Sequence, residues 1–290
     1  MGTEFASIKF ESWPDLLNFG RGLDNWFYRG QSCANWSLMS SLERAIGSTH
    51  NPSWDCKHTE QWMLRKFCGF AHNYLAHPPK DDDLLEWLAL MQHHGAPTRL
   101  LDCTYSFPVA AFFAAREAKT DFAVWAFNWN LFSQSAIARF GLKIDPMFAA
   151  LEFHTAMHAK ANEFLTNNAS GALAFPTVLF HSNERLEAQQ GMFLFPCDPS
   201  HTLLENIECL IDKPVISSIN EPSNIIRYDA TASNVALFRQ HWLLKLVLPK
   251  EERFNTLIDL HRMNIHDASL FPGLDGFTRS LGFYSMRDQR

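Results

Sequence analysis

Apolar positions recur at spacings of three and four along some stretches of this chain and in short dense runs along others, and each change of period predicts an element. Trp26-Phe27-Tyr28 is one dense run, and its long pleat-filling side chains predict a strand over residues 26–31. Before it, Ser12 as cap, Pro14 in the first turn and Leu16, Leu17 and Phe19 predict a helix that stops at Gly20 or Gly22. After it, Leu42-Glu43-Arg44 opens a helix that gives way to a loop over 47–52. Trp62, Leu64, Phe67, Phe70, Ala71 and Tyr74 predict a long helix over about 58–75. Asp81-Asp82-Asp83 place negative charge at the start of the next helix, Leu84 to Met91 form its buried side, and Gly95 with Pro97 ends it. A short strand over 98–104, a small-residue helix over 108–118 and a strand over 122–127 follow. Further on, the pattern predicts a helix over 148–164, a short strand centred on Leu179 and strands over 191–195 and 242–248. Helices over 251–263 and 273–281 close the chain. With no internal repeat and no low-complexity linker, the expectation is one α+β domain, with a helical insertion over about 50–92.

Composition narrows the class. The 290 residues are 47% hydrophobic and 19% charged, with 25 Phe and 9 Trp, which predicts a dense aromatic core. A formal charge of -6 provides no broad basic face for duplex DNA, although a local basic groove stays open. Cys33, Cys56, Cys68, Cys103, Cys197 and Cys209 lack zinc-knuckle or CxxC spacing, so reduced, buried thiols and no bound metal are expected. No apolar run has membrane-spanning length, and Glu4 and Lys9 lie in the first ten residues. Neither a membrane helix nor a signal peptide is expected, and a cytoplasmic location is.

Three polar clusters carry the candidate chemistry. Arg29 follows the aromatic triplet and precedes Gly30-Gln31, so its guanidinium needs an anionic partner while Gly30 permits a turn or a close ligand. That partner is either a ligand phosphate or carboxylate, which the Arg fork suits, or a neighbouring acid acting as structural glue. The second cluster runs from Gln92-His93-His94-Gly95 through Thr98-Arg99 to Asp102, Thr104 and Ser106. Crowded polar groups of this kind need one another or a ligand. In the third, Asn183 to Gln190 stand before Gly191-Met192-Phe193, which also describes an exposed helix ending in a glycine cap. His154 and His158 share a helix face, but with no third ligand in sight ordinary histidines are the preferred reading. There is no P-loop, GxGxxG or GxSxG.

Together these segments resemble the FRG domain family, named for an aromatic-Arg-Gly motif that stands here as Phe27-Tyr28-Arg29-Gly30-Gln31. The resemblance continues through Trp36-Ser37-Leu38, Ser41-Leu42-Glu43-Arg44, Gln92 to Asp102 and Gln189-Gln190-Gly191-Met192-Phe193. Residues 245–249 and 269–276 look like the family's closing strand and helix, and Cys103 stands where the family usually has Trp. In its order of motifs the family is in turn similar to the ADP-ribosyltransferase superfamily. That similarity implies a mixed split sheet with flanking helices and NAD as substrate. It also implies a toxin-like or antiphage effector that modifies nucleic acid, RNA favoured, or protein, with an antitoxin or chaperone as partner and no membrane.

On the same resemblance Arg29, Gln190 and Glu187 are the expected catalytic residues. Tyr28, Gly30, Gln31, His93, His94, Thr98, Arg99, Thr104 and Ser106 are expected to hold NAD. The chain departs from the superfamily at Gln189 and Gln190, neutral where a carboxylate is expected; Glu187 is the nearest acid and along a strand would share a face with Gln189. Two other classes stay open. One is a non-catalytic module that binds a nucleotide or phosphorylated ligand; the other is a metal-independent ribonuclease with His93 or His94 as general base.

Overall fold

Alternation along β2 (Trp26–Gln31) decides what lies on each side of its sheet. Phe27 enters one core, stacked on Phe127 with ring centroids 4.8 Å apart, while Trp26 and Tyr28 enter another on the opposite face. The computed structural model describes residues 5–47, 55–166, 171–181, 183–212, 225–229 and 235–287, and among them β2 is the fourth of eight strands in one mixed sheet. Across the sheet the strands are β5 (Ala174–Thr177), β6 (Gly191–Pro196), β3 (Leu101–Thr104), β2, β4 (Phe122–Asn128), β8 (Leu243–Leu248), β1 (Phe5–Lys9) and β7 (Ile225–Arg227). β1 runs parallel to β7 and β8, and the other pairings are antiparallel.

One pairing differs from the rest in extent. β2 meets β4 along six residues but meets β3 only where Tyr28 lies opposite Thr104. The sheet is therefore continuous in order yet joined at this seam by a single residue pair.

The face of Tyr28 is covered on one side of the seam by α1 (Trp13–Arg21), α5 (Phe107–Arg116), α10 (Arg253–Arg262) and α11 (Asp267–Leu270). Register puts Phe193 opposite Asp102 on that same face, beyond the seam, where it packs with α3 (Cys56–Ala71), α4 (Leu84–His93) and α7 (Ala149–Thr166). α6 (Trp129–Phe140) and α9 (Leu203–Ile211) cover the opposite face. The remaining helices are α2 (Ser41–Gly47), α8 (Glu184–Ala188) and α12 (Leu274–Arg287). α5 sits close to β2 because a side chain at Gly30 would overlap the Ala110 carbonyl and the Ala114 amide. Gly30 thus answers to a helix rather than to a turn.

Several expectations need correction. β1, α6, α9 and β7 were not foreseen, although α6 carries an Asn128 cap and a left-handed Gly141, and α9 a Thr202–Glu205 capping box. The strand expected around Leu179 lies instead at β5, whose Pro176 is tolerated because β5 is the sheet edge. β3 starts at Leu101, not 98, because Thr98 and Arg99 bond outward to Ser41 and Glu60. Glu187 and Gln189 do not lie along a strand, since α8 spans Glu184–Ala188 and Gln189 caps it. Residues 48–52 of the loop expected over 47–52 lie outside the described residues. All six cysteines are free thiols, but burial applies to Cys103 and Cys197 alone; Cys33, Cys56 and Cys68 are half-buried and Cys209 is exposed. Among the described residues no helix is long and apolar enough to cross a membrane, and no group of three or more His, Cys, Asp or Glu side chains is placed to hold a metal ion.

Candidate functional site

The seam between β2 and β3 is the floor of a cavity of about 1220 Å³. Small-molecule sites usually span roughly 300–1,000 Å³, so a dinucleotide-sized ligand fits. α5 forms one wall through Ala110 and Phe113, and α4 forms the other through Glu86, Ala89, Leu90 and His93. Trp36 and its neighbours after β2, with residues 179–181, 183, 185 and 186, complete the lining.

Three arginines from three elements line this space: Arg29 on β2, Arg44 on α2 and Arg185 on α8. Arg29 is half-buried; its Nη1 donates to the Asp102 carbonyl at 2.7 Å, and its Nε is buried without a partner. Arg44 and Arg185 are exposed on the cavity wall. Arg44 donates to the Met39 carbonyl at 2.7 Å, and Arg185 lies 4.8 Å over the Phe271 ring. Among the described residues none of the three has a carboxylate within ion-pair distance. Partial loss of solvent lowers the proton affinity of both Arg44 and Arg185; Arg29 adds to this at Arg44, and Arg279 and Arg116 add to it at Arg185. The Asp102 carboxylate acts against the shift at each, so its charge reaches both. Gln92 Nε2 donates to Asp102 Oδ1 at 2.6 Å and fixes that carboxylate in the cleft.

His93 also lines the cavity. Partial burial, the charge of Arg185 and that of His94 hold it below the ordinary imidazole value, so it is neutral at neutral pH. His94 caps α4 with its ring 5.1 Å from and perpendicular to that of His93, and lies outside the cavity wall.

The expected residues divide into two groups. Tyr28, Arg29, Gly30, Gln31, His93 and Thr104 come together on the cavity. Within that group, three side chains besides Arg29 already have hydrogen-bond partners. Tyr28 donates its hydroxyl to the Leu23 carbonyl, Gln31 joins the Ser37 carbonyl to Trp125 Nε1, and Thr104 donates to the Gln189 carbonyl at 2.7 Å. His94, Thr98, Arg99, Ser106, Glu187 and Gln190 lie off the wall. Thr98 is fully buried and donates its hydroxyl to the Gln92 side chain, and Ser106 caps α5. Arg99 is buried against Glu60, its ion-pair partner, and donates to the Cys197 carbonyl at 2.8 Å. Glu187 is exposed on α8, and Gln190, also exposed, takes a left-handed backbone with φ 47°. Gln189 reaches the wall instead, its amide donating to the Leu270 carbonyl at 3.0 Å. His158 bonds to Asp83 and the Val178 carbonyl, apart from His154, which faces Tyr105.

Arg44, Arg185 and Glu86 were not expected as site residues, and Asp102 stood in the second polar cluster without a role of its own. Arg44 and Arg185 stand inside the very clusters quoted above, one in Ser41-Leu42-Glu43-Arg44 and one before Gln189-Gln190, and this was the available signal. Glu86 sits in an apolar helical run and gave none.

Fold and cleft together define a mixed α+β protein with a cationic cavity at a weakly paired sheet seam. Residues 24–122 match the family model of the FRG domain. The match holds Arg29, Arg44, Glu86, His93, Asp102 and Thr104, while Arg185 lies beyond it. No curated protein and no solved structure matches the chain.

Proposed function

We propose that the cleft binds a pyrophosphate-bearing nucleotide of the NAD type and that the chain transfers ADP-ribose from it to an acceptor. The observation that carries this is the half-buried Arg29, its Nε without a partner, flanked in one cavity by two further arginines that have no carboxylate within ion-pair distance among the described residues. Guanidinium groups that lack a paired carboxylate favour a phosphate, which accepts two parallel charge-assisted bonds from a fork.

In the transfer, the bond between ribose C1′ and the nicotinamide nitrogen breaks and nicotinamide leaves with the bonding pair. An acceptor oxygen or nitrogen then bonds to C1′ and gives up a proton. The transition state is oxocarbenium-like, so a carboxylate near C1′ stabilises it. Asp102, held by Gln92 within reach of Arg44 and Arg185, takes the part that the family resemblance gave to Glu187, and neutral His93 receives the acceptor's proton. The acceptor, nucleic acid with RNA favoured or protein, rests on the resemblance, as do the toxin-like or antiphage role and the antitoxin or chaperone partner.

The test is nicotinamide release from NAD by the purified chain, run beside growth on expression in a host. Release and growth arrest that Arg29→Ala abolishes are expected; equal behaviour of wild type and variant sinks the proposal. A second reading, a nucleotide-binding module without turnover, is favoured by the Gln189 amide being tied to Leu270 and by Gln190 facing away from the cleft. It predicts thermal stabilisation by NAD with no nicotinamide released.

A further inference from the structure

Glu86 stands at the end of the cavity away from the seam, and its carboxylate is only half used. The residue is 7% exposed. Oε1 accepts from the His181 backbone amide at 3.1 Å and from His181 Nδ1 at 2.7 Å. Oε2 accepts no hydrogen bond from any described residue. Oε2 is not among the described buried atoms that lack a partner, so it opens on the cavity, where a ligand donor can reach it. None of the cavity's three arginines reaches it.

Pro79, Ala89, Leu90, Leu179 and Phe180 line the same cavity as Glu86 and give it apolar surface beside the charged Lys80 and Asp83. The Phe180 ring is half exposed and lies against the His158 imidazole with centroids 4.2 Å apart. His158 is itself held by both Asp83 oxygens at 2.9 Å, so the ring beneath Phe180 has a fixed place. An apolar slot with one anchored aromatic face and one unmatched acceptor at its edge suits a planar heteroaromatic ring that carries an amino group.

We infer that Glu86 Oε2 anchors a second subsite, which takes the NH2-bearing ring of the nucleotide whose phosphates meet the arginines. This rests on the nucleotide reading above. Two rings of NAD have the required chemistry: the nicotinamide, through its carboxamide, and the adenine, through its exocyclic amine. The cavity's two ends then divide the ligand, phosphates on cations and a ring on the acid.

Calorimetric titrations of wild type, Glu86→Gln and His181→Ala test this, using NAD, ADP-ribose, nicotinamide hypoxanthine dinucleotide and pyrophosphate. ADP-ribose lacks the nicotinamide, and the hypoxanthine analogue lacks the adenine amine. Wild type is expected to lose about tenfold on whichever analogue lacks the anchored NH2, the usual order for one charge-assisted bond. Glu86→Gln is expected to bind NAD about tenfold more weakly, bind that same analogue unchanged and bind pyrophosphate like wild type. His181→Ala, which removes the ring from Oε1 and leaves the backbone amide there, should bind NAD at least as tightly as wild type. The inference is overturned if Glu86→Gln binds NAD like wild type, if it weakens all four ligands alike, or if His181→Ala loses as much NAD affinity as Glu86→Gln. If wild type binds neither NAD nor pyrophosphate, the nucleotide reading itself fails and takes the inference with it.

Discussion

Arg29 Nη1 donates to the backbone carbonyl of Asp102 at 2.7 Å, so a side chain stands where ladder bonds between β2 and β3 would continue. The contact satisfies an acceptor that the short pairing leaves over, and it aims the rest of the guanidinium into the cleft. Arg29→Ala is therefore expected to weaken binding of NAD or pyrophosphate by about tenfold to a hundredfold, the range for losing one or two charge-assisted bonds. Arg29→Lys keeps the charge without the fork and should recover only part of that affinity. Calorimetric titration reads both.

The second arginine expected at the site behaves in the opposite way. Arg99 and Glu60 are paired at 4% and 1% side-chain exposure, and Glu60 also accepts from the Arg99 amide at 2.8 Å. Removing one partner strands a buried charge, which costs about 3–5 kcal/mol. Glu60→Ala should lower the midpoint of urea unfolding accordingly, whereas Arg29→Ala should leave it nearly in place. Equal losses in the two variants would contradict the division of roles.

That division also marks what the sequence discloses. Arg29 is legible because a cation between three aromatics and a glycine has no local means of neutralisation. Arg99 has the same chemistry, but Glu60 lies 39 residues away on α3, and nothing near either residue announces the pair. Gly30 was noticed for a ligand, yet the atoms that exclude a side chain there belong to α5, an element 77 residues later in the chain at Phe107. The helix and strand runs with clear periodicity were legible for the same reason as Arg29, since their signal is local. β7, three exposed residues paired on one side only, has too little pattern to be read. Glu86 and Arg185 become site residues only when the fold brings α4 and α8 to line one cavity.

The imidazoles give a pH dependence of stability with a definite sign. Partial burial holds His93, His154 and His266 below their ordinary value of 6.5, with positive neighbours adding to this at His93 and His266. Below 6.5 the unfolded chain takes up protons that the folded chain refuses, so stability is full above that value and is lost as pH falls through the folded values. Urea midpoints should be lower at about pH 5 than at about pH 7.5. His93→Gln should narrow the difference. A midpoint that rises on acidification over this window would reverse the sign and contradict the assignment.

The choice of carboxylate is open to a direct comparison. Family resemblance puts the acid at Glu187; both carboxylates are exposed, but Glu187 lies on α8 outside the cavity wall, whereas Asp102 lines the cavity and is held there by Gln92. Asp102→Asn keeps the shape and removes the charge that would stabilise an oxocarbenium-like ribose. It should lower nicotinamide release by about a hundredfold or more, the usual order for removing one electrostatic group of this kind. NAD affinity should fall far less, or rise, because the same substitution takes a negative charge away from Arg44 and Arg185. Glu187→Gln should change neither quantity appreciably. If Glu187→Gln abolishes release while Asp102→Asn leaves it intact, then α8 must rearrange when the ligand binds, and the acid reaches C1′ from the segment that also carries Arg185.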